Sequence, residues 1–160
     1  MAAPPRQMQS VYDSFPDDDS TKEVYFQAAG LTYSEISDRH VLLWWLNDEL
    51  TGDVPVTQVV QLTGQPGNYN YYAPVAVRSR ESRTANLQIT LGRFSRAQRD
   101  QILQLANDVK FEKKSTVNSC RVWTRDLLEA MVAEGLISGN LFTEIDGKVP
   151  LLKRKPEASS

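Results

Sequence analysis

Residues 39 to 47 read RHVLLWWLN, and six of these nine are aliphatic, aromatic or β-branched. Apolar residues on both alternating faces are the mark of a strand covered on two sides, so this stretch predicts the central strand of a sheet. Neighbouring segments extend the sheet in both directions. KEVYFQAAGL (22–31) precedes it with similar composition, and DELTGD (48–53) supplies a turn into VPVTQVVQLTG (54–64). Pro55 stands near the start of that return strand, where a missing amide donor is tolerated. After the loop GQPGN (64–68), YNYYAPVAVRS (69–79), which is interrupted by Pro74, and TANLQITLG (84–92) read as further strands. Four to five strands, mostly antiparallel, are expected.

The period then changes. In FSRAQRDQILQLANDVK (94–110), Ile102, Leu103, Leu105, Ala106 and Val109 fall at helical spacing, and Ser95 with Gln98 forms a capping-box start. A second helix follows in NSCRVWTRDLLEAMVAEGLISGN (118–140): Cys120, Trp123, Leu127 and Met131 share one face, and Gly135 supplies the stop. SGN (138–140) and DGK (146–148) read as turns. Strands first and helices last predict an α+β fold, with an antiparallel sheet of four to five strands packed against two C-terminal helices. The domain spans 22–152. Residues 1–21, with Pro4, Pro5 and the acidic run FPDDDS, are expected to be a flexible arm, and 153–160 a flexible tail.

Composition narrows the function classes. A formal net charge of −2, with scattered Lys and Arg, offers no basic field for nucleic acid. No run approaches the ~18 apolar residues of a membrane span. One cysteine excludes an intramolecular disulfide, and MAAPPRQMQSVYDSF lacks a signal-peptide core, so a reducing, cytoplasmic setting is expected. One His and one Cys make a poor zinc site, and no H-E-x-x-H, C-x-x-C, G-x-S-x-G or dinucleotide fingerprint occurs. Neither a metal nor a cofactor is expected.

What remains is a cysteine at a helix head and a single histidine opening the central strand. A helix N-terminus and an imidazole both favour a thiolate, whereas a cysteine on an apolar face is ordinarily a packed core residue. A hairpin centred near Leu50 and Thr51 places about Gln61 opposite His40, as an orienter of the imidazole, with Gln58 and Asp53 as fallback choices. Trp44, Arg121, Trp123 and Tyr71 are the candidates to line a substrate cleft. Their plainer roles are core for the tryptophans, a solvated helix face for Arg121 and an edge strand for Tyr71.

A histidine opening a strand, a polar residue on the next strand and an Asn-x-Cys heading a helix with an aromatic three positions on together resemble the circularly permuted papain-like family. Lecithin:retinol acyltransferase-type enzymes and desumoylating isopeptidases belong to it, and small fungal proteins with an N-C-x-x-W/F helix are similar. The resemblance implies Cys120 as nucleophile, His40 as base and Gln61 as its orienter, for acyl transfer or hydrolysis of a small or acylated substrate. In this chain Ser119 separates Asn118 from Cys120, where the family commonly has Asn and Cys adjacent. Two other readings stand beside it: a binding or interaction module on the same fold, and a tailoring enzyme of small-molecule biosynthesis that uses the histidine alone as acid and base.

Overall fold

The structure, a computed structural model, describes residues 10–30, 39–51, 54–78 and 84–157. Among the described residues six strands, β1 (Lys22–Ala28), β2 (Val41–Leu50), β3 (Val54–Gln65), β4 (Asn68–Tyr72), β5 (Val75–Val77) and β6 (Leu87–Phe94), precede three helices, α1 (Arg96–Asp108), α2 (Cys120–Ala133) and α3 (Gly139–Lys148). The fold is α+β, as the grouping of periods predicts. The strand order is β4-β3-β2-β1-β6, with β5 also paired to β3, and every pairing is antiparallel. The segment read as one strand over 69–79 is two. Ala73 and Pro74 break the ladder, and Gln58 Nε2 donates to both of their carbonyls across the break, at 2.9 and 3.3 Å.

Two glycines shape the sheet. Gly64 (φ +111) lies at the β3–β4 hairpin, where a Cβ would meet the Asn68 carbonyl at 2.0 Å. Gly92 (φ +143) takes up a bulge in β6 opposite Val24 and Tyr25.

Strand alternation sorts the side chains into two faces. Val24, Phe26 and Ala28 of β1, Val41, Leu43 and Trp45 of β2, Val60 and Leu62 of β3, and Ile89 and Leu91 of β6 form one core with the helices. From α2, Cys120, Trp123, Leu127 and Met131 enter it, all nearly or fully buried, as their spacing requires. The other face carries a smaller cluster of Leu42, Trp44 and Val59, with Tyr25 against it.

Three expectations are corrected. SGN is a helix start: Ser138 caps α3 by accepting from the Leu141 amide, and DGK runs into that helix's last turn, so α3 is a third helix. The arm is docked from Ser10 onward. Val11 N donates to Val75 O, and the Arg99 guanidinium, 0% exposed, binds both Asp17 oxygens and the carbonyls of Asp18, Ser20 and Phe94. The tail is seated through residue 157. Asn118 Oδ1 accepts from Lys155 N, its Nδ2 donates to Lys155 O, and Arg154 pairs with Asp126 at 2.7 Å. Residues 1–9 and 158–160 of these two segments lie outside the described residues.

Candidate functional site

His40 immediately precedes β2 and continues its ladder, since its carbonyl accepts from Ala29 N at 2.9 Å. Its Nε2 lies 2.8 Å from Gln61 Oε1. A carbonyl oxygen only accepts, so Nε2 carries the proton and donates. Nδ1 makes no hydrogen bond with any described residue, and the ring is half-buried.

The route to this contact differs from a simple hairpin count. Leu50 pairs with Val54, and one residue is absorbed in a bulge at Asn47, after which Leu43 faces Val60. Continuing that register puts Gln61 across from Leu42, and it reaches His40 diagonally, within the span of two long side chains.

The pair sits on the face away from the helices, because Gln61 alternates with Val60 and Leu62 and shares the side of Val59. Across the row through Leu42 the same face carries Gln27 of β1, Gln88 of β6 and Tyr72 of β4. Gln88 Nε2 donates to Gln27 Oε1, and its Oε1 accepts from Trp44 Nε1. Trp44 stacks on Tyr25 with centroids 4.5 Å apart, and the Arg78 guanidinium lies 5.8 Å above the indole. Trp44 is thus a wall of this face, as the sequence reading allows.

Cys120 is on the other side of the sheet. Ser119 caps α2, which places Cys120 at its first helical position and turns the sulfur into the apolar core at 7% exposure. Its Sγ donates to the Arg39 carbonyl at 4.0 Å. The structure therefore brings His40 and Gln61 together and places the thiol on the opposite face of the sheet from their contact. Correct helical and strand spacing still leaves open which sheet face each residue takes, and here the two faces differ.

The remaining candidates divide by the same parity. Tyr71 and Trp123 pack on each other in the helix-side core, centroids 5.6 Å apart, and burial raises the Tyr71 hydroxyl above its ordinary value. Its neighbour Tyr72 is the tyrosine on the His40 face. Arg121 donates to Pro150 O at 3.1 Å and so ties α2 to the chain leaving α3. Gln58, the fallback orienter, is committed to the β4–β5 break. Asp53 lies outside the described residues. Gln27 and Gln88 were missed by sequence reasoning, although the alternation of β1 and β6 carries the signal. Among the described residues no group of three or more His, Cys, Asp or Glu is placed to hold a metal ion, and no helix is long and apolar enough to cross a membrane. No family model, no curated protein and no solved structure matches this chain.

Proposed function

We propose that this protein is a cofactor-independent acid–base enzyme acting on a small molecule, with His40 as the proton-transfer group. The observation that carries the reading is the 2.8 Å contact of His40 Nε2 with Gln61 Oε1 on a face lined by amides and aromatic rings. A neutral ring held as the Nε2–H tautomer presents Nδ1 as a base. When Nδ1 takes a proton, the imidazolium keeps the same hydrogen bond, now charge-assisted, so the ring needs no reorientation within the catalytic step. The proton then returns to a different atom of the reactant. This is the balance of an isomerisation, elimination or cyclisation, and it needs no second reagent.

The order His40, Gln61, Cys120 along the chain is what supports a permuted papain-like origin. In this reading the base and its orienter keep their parts, and the thiol holds the Arg39 carbonyl. Acyl transfer through Cys120 would need the sulfur within hydrogen-bond reach of the imidazole. A lone thiol suits a reducing compartment, the cytoplasm.

The test begins in cells whose copy is disrupted, where the compound that accumulates is identified by mass spectrometry and offered to the purified chain. His40→Ala should slow its conversion about 100-fold or more, and Cys120→Ala should leave it within a few-fold. Loss in Cys120→Ala with an acyl adduct on the wild-type thiol would instead establish the covalent route. Conversion unaffected by both variants would leave a binding module.

A further inference from the structure

One residue before the base, Arg39 is 5% exposed, and its charge meets no carboxylate among the described residues. Its Nε donates to Ala29 O at 2.5 Å and its Nη2 to Gly30 O at 2.7 Å. Those two bonds occupy the side edge of the guanidinium, formed by Nε–H and one Nη2–H. The end edge, formed by Nη1 and the second Nη2 proton, bonds to no described residue. Two parallel N–H groups on that edge match the two oxygens of a planar carboxylate. A buried cation whose partners among the described residues are neutral carbonyls is costly, and the cost falls when an anion joins it. Burial lowers the guanidinium's proton affinity here.

We infer that Arg39 binds the carboxylate of a small organic acid through its end edge, at the end of the sheet where β2 begins. Arg39 precedes Val41 by two residues and so leaves the strand on the side opposite the His40 ring, which makes the acid a ligand separate from the reactant. The anion site stands on its own atoms and does not rest on the His40 reading.

The test uses the full chain and benzoate as the probe, followed by NMR at the Arg39 Nε–Hε resonance, which is assigned by its absence from Arg39→Lys. Benzoate should shift that resonance saturably, and neutral methyl benzoate should not. Arg39→Lys keeps the charge without the fork and should weaken benzoate binding about tenfold, read from backbone amides. His40→Ala should still bind benzoate. No saturable shift, an equal response to methyl benzoate, or an equal response to inorganic phosphate would overturn the inference. If benzoate fails to bind while His40→Ala abolishes conversion, the anion site falls and the acid–base reading stands. If benzoate binds while His40→Ala converts normally, the reverse holds.

Discussion

The two faces of the sheet are built from the same strands, one residue apart, and they do different work. On the helix side, Val41, Leu43, Trp45, Val60 and Leu62 interlock with α2 in an apolar layer that includes the Cys120 thiol. On the other, His40, Gln61, Gln27, Gln88 and Trp44 form hydrogen-bonded contacts around Leu42 and Val59. Apolar packing gains from area and shape, whereas proton transfer needs a polar group with a fixed partner and a free site. On the proposed acid–base reading, stability rests chiefly on the first face and chemistry on the second.

The largest expected effect lies on the helix side, at the ion pair that clamps the N-terminal segment to α1. Burial raises the Asp17 carboxyl, but hydrogen bonds from Arg99 and Lys22 outweigh it and leave the group below its ordinary value of 3.8. A lowered carboxylate stabilises the fold above its unfolded value, and that contribution is lost as pH falls through the native one. Asp17→Asn should therefore cost about 3–5 kcal/mol at neutral pH, because it strands the buried Arg99 charge. It should also flatten the loss of stability below about pH 4. Urea unfolding at several pH values checks both. Deleting residues 1–20 should cost at least as much, against the small cost that a loose arm would imply.

Leu127→Ala, in the middle of the α2 contact, should cost about 2–5 kcal/mol by the same measurement. Gly64→Ala should cost about 1–3 kcal/mol, since φ +111 and the Asn68 carbonyl both oppose a side chain. Gln61→Ala should cost only about 1 kcal/mol while lowering conversion strongly. Equal stability losses at Leu127 and Gln61 would erase the distinction between the faces. The smallest effect concerns the thiol: Cys120 should react with iodoacetamide only as fast as the protein opens. Rapid alkylation of the folded chain would show the sulfur to be accessible.

Much of the fold is legible in local pattern. The capping box of Ser95 and Gln98, the Cys120–Met131 face and the two-sided apolar run of β2 each announce their elements within a dozen residues. The His40–Gln61 contact was within reach too, because a hairpin fixes register to a residue or two. The bulge at Asn47 was not, since nothing in LNDEL marks which residue is left unpaired. Face assignment failed for a related reason. Whether Cys120 and His40 meet depends on parity in β2 and on which side α2 packs, and a helical period constrains neither. The Asp17–Arg99 pair spans 82 residues, and α3 hides behind glycines that read as turns.

The central claim, that Gln61 and not Cys120 is the partner of the base, is tested most directly on the imidazole itself. Long-range proton–nitrogen correlation spectra of the full chain report which ring nitrogen of His40 carries the proton. The wild type should show Nε2–H, Cys120→Ala should leave both nitrogen shifts unchanged, and Gln61→Ala should move them and mix the tautomers. If Cys120→Ala perturbs the ring nitrogens as much as Gln61→Ala does, thiol and imidazole interact and the assignment of chemistry to the second face is wrong.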